Sequence, residues 1–277
     1  MANTVEQART IKISKETLPS LKELYDLTGK VALITGGAGQ LGKQFAEGLA
    51  EAGAEIILTD IREPELVERQ NELKDMKYKV SCYRSELTDA ESVYWMFDAI
   101  RKKYSRLDIL INNGGMTYFM PLEEMKPEEF EKVLDVHLKG SFMLVQQVLP
   151  FMKRNGGGSI INIGSIYGMV GADQSIYGDS GLNSSAAYAA AKGGMINFTR
   201  YLASYLGEYN IRANCISPGG FYAGQAPEFI ERYCAKTPLG RMGDSYDLKG
   251  VGVFLASDAS KYITGVNLPV DGGWTAR

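Results

Sequence analysis

Tyr188 and Lys192 stand four positions apart in a stretch, Tyr188-Ala189-Ala190-Ala191-Lys192, that reads as helix, so their side chains lie one above the other on one face. A phenol ionises near pH ~10 and is a poor acid or base at neutral pH; a neighbouring ammonium favours the phenolate and lowers that value. The pair is therefore a candidate general acid/base. Upstream, Ser165 follows Ile163-Gly164 at the end of an apolar run, where its hydroxyl could line the same site. Gly37, Gly39 and Gly42 have G-x-G-x-x-G spacing, which lets a backbone turn come close to a phosphate at a helix N-terminus. Asp60 lies roughly 20 residues further on, near the spacing at which an acid accepts hydrogen bonds from ribose hydroxyls. Its carboxylate would repel a 2′-phosphate, and the glycine turn contains no Lys or Arg, so the expected cofactor is NAD rather than NADP. Arg62 keeps NADP open.

Several strands must deliver these groups to one edge. Val31-Ala32-Leu33-Ile34-Thr35 is an apolar run entering the glycine turn, and Phe45, Leu49 and Ala50 follow at helical spacing. Further strands are expected over Glu55 to Thr59, Tyr78 to Tyr83, Leu107 to Ile111, Ser159 to Ile163, Ile211 to Ile216 and Val266 to Val270. The fourth strand ends in Asn112-Asn113-Gly114-Gly115, where small residues and amides let the chain turn beside a ligand. Between the strands lie helices. Pro64 opens one, Thr88 to Glu91 has capping-box spacing ahead of Val93, Met96, Phe97 and Ile100, and another runs from Pro127 toward Met152. The Tyr188 helix continues through Met195, Phe198, Leu202 and Leu206, and a last one spans Asp247 to Ala256. Strands alternating with helices predict an α/β fold, a parallel sheet covered on both faces with ligands at its carboxyl edge. Residues 1–28 read as an N-terminal arm whose amphipathic piece (Leu18, Leu21, Leu24, Tyr25) packs on the domain or a neighbouring subunit; residues 29–277 form a single domain.

The chain has 277 residues, 45% hydrophobic, with 30 basic and 33 acidic side chains spread along it. No basic field is available for nucleic acid or an anionic membrane. The cysteines, Cys82, Cys215 and Cys234, are widely spaced, which argues against disulfides or a zinc site. His137, the sole histidine, falls on an apolar stripe with Phe130, Val133 and Leu134, more in keeping with a core residue than a metal ligand. No signal-peptide core and no membrane-length apolar run is present, so the cytoplasm is the expected location. Tyr167 to Ser185 is rich in Gly, Ser, Asp and Asn and lacks periodicity, which marks a candidate substrate loop. The stretch around Phe221, Tyr222 and Phe229 reads equally as a lid or as a turn plus surface helix.

From Gly29 onward the chain resembles the short-chain dehydrogenases/reductases. Thr35-Gly36 with Gly42 is similar to that family's glycine turn, Asn112-Asn113-Gly114-Gly115 to its N-N-A-G element, and Tyr188 with Lys192 to its Y-x-x-x-K; Ser165, Pro218-Gly219 and Asp271-Gly272-Gly273-Trp274 fall in family order. The resemblance implies a seven-stranded, doubly wound Rossmann sheet and a homotetramer or homodimer built partly through the helices bearing His137 and Tyr188. It also implies a mechanism: Tyr188 as acid/base, Ser165 on the reacting oxygen, Lys192 lowering the Tyr pKa and holding the nicotinamide ribose, and hydride passing between a carbinol carbon and nicotinamide C4. Cofactor contacts are implied at Gly36, Gly39, Gln40 and Leu41, at Asp60 and Ile61, at Glu86 and Leu87, at Asn113, Gly114 and Gly115, and at Tyr188, Lys192, Pro218, Gly219 and Phe221.

Some positions depart from the family pattern. Gln40 stands where a glycine is usual; if already helical it fits without strain and donates a neutral hydrogen bond. His137 stands for an Asn whose carbonyl holds a relay water, Glu86 for an adenine-side Asp, and Ala223 for a Thr. The separation of Ser165 from Tyr188 places an insertion around Asp173 to Ser185. Its Asp173, Asp179, Asn183 and serines point to a hydroxylated substrate: a sugar, polyol or sugar-derived acid oxidised with NAD. The alternatives are a 3-oxoacyl-thioester reductase, with a more apolar or cation-rimmed entrance, and a non-catalytic nicotinamide-binding regulator.

Overall fold

A computed structural model describes residues 18–276. Seven strands, β1 (Val31–Thr35), β2 (Glu55–Asp60), β3 (Val80–Arg84), β4 (Ile109–Asn112), β5 (Gly158–Ile163), β6 (Ile211–Pro218) and β7 (Asn267–Val270), form one parallel sheet in the order β3-β2-β1-β4-β5-β6-β7. Chain order reverses between β1 and β4, so a crevice opens at their carboxyl ends, the place where doubly wound sheets bind ligands.

Alternation along β1 shows how the sheet is held. Ala32 and Ile34 face a core completed by Phe45 and Leu49 of α2 (Gln40–Glu51), Leu66 and Leu73 of α3 (Glu63–Asp75) and Leu255 of α9 (Lys249–Ala256). Val31 and Leu33 face the opposite core, with Val93 and Phe97 of α4 (Ala90–Lys103), Leu144 and Val148 of α6 (Gly140–Asn155) and Leu202 and Leu206 of α7 (Ala186–Leu206). Burying both faces explains why β1 is apolar at nearly every position.

The expected helix from Pro127 is two helices in one line: α5 (Pro127–Leu134) passes through a single π turn, Asp135–Lys139, into α6. That turn carries His137. Of the expected arm, the described part forms the short α1 (Leu21–Leu24), capped by Ser20 and Glu23; Leu18 and Leu21 are exposed, while Leu27 is buried and Tyr25 lies against Phe254 of α9. The aromatic stretch after β6 is a turn followed by α8 (Pro227–Lys236). Among the described residues no helix is long and apolar enough to cross a membrane.

Candidate active site

The glycine turn is built by close contacts. A Cβ on Gly42 would lie 2.3 Å from the Gly36 carbonyl oxygen, and Gly36, at φ +63°, packs on Asn113 and Gly114. Thr35 Oγ1 accepts the backbone N–H groups of Asn113 and Gly114 at 3.0 and 2.8 Å, and the Asn113 amide donates to the Thr35 and Gly36 carbonyls. Asn113 thus clamps the ends of β1 and β4 together with its side chain. Beside it opens a groove of 560 Å³ lined by Gly36, Gly39, Gln40, Leu41, Asp60 and Ile61 on one side and by Glu86, Leu87, Asn113, Gly114 and Gly115 on the other. The α2 N-terminus at Gly39 lacks a side-chain cap, and the buried Thr59 Oγ1 in the groove wall has no hydrogen-bond partner. Free backbone donors and an orphaned hydroxyl in a glycine-walled groove fit a dinucleotide.

Two of the expected cofactor residues are engaged elsewhere. Asp60 accepts the Ala38 N–H at 3.1 Å and the Arg62 N–H at 3.0 Å, and the Arg62 guanidinium meets both its oxygens at 3.2 and 3.3 Å. The acid at the ribose end is therefore charge-paired. Gln40 is the first residue of α2, as its lack of strain requires, and its amide donates to the Tyr222 carbonyl at 2.6 Å rather than into the groove. Phe221 departs from the expected set: its buried ring packs over Gly243 and lines a different cavity.

Ser185 caps α7 by accepting the Tyr188 N–H at 3.3 Å, so the phenol rises from the first turn, where the helix dipole favours negative charge. One turn on, Lys192 is buried, donates to the Ile163 carbonyl at 2.6 Å and holds its ammonium 5.4 Å from the Tyr188 ring centre. Burial depresses the Lys192 amine to about 8. The same burial raises the Tyr188 phenol above its ordinary value, the Ser165 hydroxyl pulling it back. In the protein alone burial, not the expected lowering by Lys192, sets the direction of the Tyr188 shift. Ser165, Tyr188, Lys192, Pro218 and Gly219 line one small cavity of 260 Å³ with His137.

A larger cavity of 670 Å³ adjoins it, sharing Ser165, Tyr188 and Gly219. Its wall combines aromatic rings (Phe119, Tyr167, Tyr177, Phe229) with polar groups of the inserted loop. The polar loop residues divide. Asp179, Ser180 and Ser184 line the cavity, whereas Asn183 does not and Asp173 is bonded to Lys236 and Ser175. Gln174 and Ser184 exchange hydrogen bonds at 3.3 and 2.9 Å, which closes the loop on itself.

A family model described as enoyl-(acyl carrier protein) reductase matches residues 36–275. The chain belongs to the short-chain dehydrogenase/reductase family. It is accordingly an oxidoreductase of CH–OH groups. It is 36% identical over 251 residues to a 3-oxoacyl-(acyl-carrier-protein) reductase of Thermotoga maritima, covering 89% of this chain and 98% of that one. An NAD-dependent glycerol dehydrogenase of Listeria innocua is 32% identical over 266 residues, covering 91% and 96%. Among solved structures, a gluconate 5-dehydrogenase of Burkholderia cenocepacia in complex with NADP and tartrate superposes with a TM-score of 0.85 at 31% identity, covering 93% of this chain and all (100%) of that one.

Within this dehydrogenase/reductase fold, α8 brings residues to the larger cavity that sequence reasoning did not single out: Gln225 just ahead of it, then Glu228 and Arg232 one turn apart. Phe229 was visible as part of an aromatic stretch. The two charged residues carried no signal beyond helical spacing, because their relation to the loop is made only by folding.

Proposed function

We propose that this enzyme oxidises a secondary alcohol of a sugar, polyol or sugar-derived acid with NAD, Tyr188 serving as general base. The observation that carries this reading is that Ser165 and Tyr188 line both the larger cavity and the small one beside Lys192, so a hydroxyl held between them faces both compartments. Ser165 donates a hydrogen bond to the reacting oxygen while the Tyr188 phenolate takes the hydroxyl proton. The Lys192 ammonium and the α7 N-terminus both favour that phenolate. A nicotinamide held there would supply the acceptor for the hydride of the carbinol carbon. A positioned acid/base of this kind contributes about 10²–10⁴-fold.

The dinucleotide would be held by the glycine turn, the Asn113–Gly115 segment and the strand-end acid. Asp60 supports NAD, since a 2′-phosphate would meet its carboxylate; the Arg62 pair softens that preference, because the guanidinium lies where it could accept a phosphate. Assembly as a homotetramer or homodimer in the cytoplasm belongs to the same proposal; the exposed rings of Phe142, Tyr201 and Tyr205 on α6 and α7 support the assembly.

A second reading, 3-oxoacyl-thioester reduction, is favoured by the aromatic wall and by the similarity to the Thermotoga maritima reductase. Asp179 and Glu228 in the same cavity disfavour an acidic carrier protein. The test is a screen of sugars, polyols and sugar acids with NAD beside oxoacyl thioesters with reduced cofactor, followed by nicotinamide absorbance, with Tyr188→Phe as control. Oxidation of a hydroxylated compound that Tyr188→Phe loses is expected; turnover of thioesters alone would replace the first reading by the second.

A further inference from the structure

We propose that Arg232 binds a carboxylate on the substrate, which makes the enzyme a dehydrogenase of hydroxy acids rather than of neutral sugars or polyols. The inference rests on the reading that the Tyr188 site oxidises a hydroxylated compound, and it adds what the far end of that compound carries.

Arg232 is the only Lys or Arg among the described residues lining the 670 Å³ cavity. It makes no ion pair with another described residue, although Glu228 lies one helical turn before it and Asp179 shares the cavity. The next cation along the same face of α8, Lys236, is used differently: it bonds Asp173 and Ser175 and so ties the inserted loop to the helix. One cation fastens the loop, and the other is left to the cavity.

The guanidinium lies directly against the loop backbone. Gly178 has φ +55°, a conformation that favours glycine, and a Cβ built on it would lie 1.6 Å from Arg232 Nη1 and 2.5 Å from Cζ, so a side chain there would push the guanidinium out of this position. Gly178 is fixed in turn by Tyr177, which is buried and packs at 5.4 Å on Phe229 of α8. A planar fork of donors set against a rigid wall suits bidentate pairing with a carboxylate, a geometry that an ammonium does not match. The nearby rings of Tyr177 and Phe229 can cover the carbon skeleton between that carboxylate and the alcohol at Tyr188. Asp179 and Glu228 restrict the ligand to a compact anion, since a more highly charged group would meet both of them.

The test is calorimetric binding to NAD-loaded protein carrying Tyr188→Phe, with tartrate, gluconate and the amide of each as probes. At least one acid is expected to bind about 10- to 100-fold more tightly than its amide, the range for hydrogen bonds to a charged group. Arg232→Gln should abolish that ratio, Arg232→Lys should keep part of it, and Gly178→Ala, which displaces the guanidinium, should follow Arg232→Gln. Amide affinity should stay constant throughout. If every amide binds as well as its acid, or if Arg232→Gln leaves the ratio intact, the proposal is wrong. Turnover by the unaltered enzyme separates the two readings. Acids bound through Arg232 with no alcohol oxidised would overturn the dehydrogenase reading alone; oxidation of neutral polyols with acids ignored would overturn this one alone.

Discussion

The imidazole of His137 meets the ring of Tyr188 edge-on, with centroids 5.6 Å apart and planes at 79°. Burial, with the Lys192 charge adding to it, pushes that imidazole down to about 3, so it is neutral across the working range of pH. Its Nε2 lies 2.8 Å from the Met116 carbonyl oxygen and 3.3 Å from the Met116 backbone nitrogen, the tautomer deciding which of the two it bonds, and a Cβ on Gly115 would lie 2.3 Å from its Cε1. His137 thus braces both the wall behind Tyr188 and the Gly115-Met116 turn of the cofactor groove. It is a positioning residue.

Replacing it should therefore act on structure and leave the titration alone. His137→Ala removes a buried ring and its hydrogen bond to the Met116 backbone, with an expected loss of about 3–5 kcal/mol in urea unfolding. His137→Gln, whose amide can both donate to and accept from the Met116 backbone, should keep the shape of the pH–rate profile between pH ~5 and ~8. A limb that disappears with the imidazole would show that it titrates in catalysis.

Ser165→Ala tests the other partner of Tyr188. The Ser165 hydroxyl lowers a phenol that burial otherwise raises, so its removal disfavours the phenolate. Alcohol oxidation should slow by about 10²–10³-fold, as for loss of one preorganised donor. The limb on which kcat rises with pH, where the phenol ionises, should move to higher pH. A rate loss with the limb unmoved would separate oxygen binding from any influence on the phenol.

Much of this arrangement was legible in the chain because it is local. β1, the glycine turn and α2 are successive segments, and the Tyr188-Lys192 spacing is one helical turn; periodicity and short-range geometry determine them. The parts that were not legible depend on pairs that folding alone brings together. The Pro127 stripe gave no sign of the π turn at Asp135–Lys139, because the apolar pattern runs on across it. Asp173 was grouped with the substrate-facing loop residues, yet Lys236 on α8 takes it. Phe221 had the right place in the sequence for the cofactor, but its ring turns onto Gly243. Arg232 and Gly178 carry no mutual signal at all until the loop closes on α8.

Asp60 and Arg62 make cofactor choice a matter of two coupled charges. With both present, the guanidinium spans the two carboxylate oxygens. Asp60→Ala frees Arg62 and removes the repulsion, so kcat/KM with NADP should rise about tenfold or more relative to NAD, the worth of one ion-pair-strength interaction. Arg62→Ala should reduce NADP use while sparing NAD. Equal losses with both cofactors in either variant would mean that the pair only supports the Ala38 turn.

Lys192 should leave a thermodynamic signature of its burial. Its amine falls from 10.5 to about 8 on folding. Below pH ~8 the folded and unfolded chains both hold the proton, and the full penalty of a buried charge is present. Between pH ~8 and ~10.5 the folded protein has released the proton while the unfolded chain retains it, so this group's contribution to stability rises with pH. Above that window both forms are neutral and the contribution levels off. Lys192→Met lacks the titration but shares every other group, so the difference in unfolding free energy between the two proteins isolates it. That difference should shift in favour of the unaltered enzyme by at most about 1.4 kcal/mol per pH unit across the window. Denaturant unfolding of both proteins at several pH values measures it. A constant difference would show that the buried ammonium holds its proton, with the Ile163 carbonyl and the Tyr188 face stabilising the charge as well as water does.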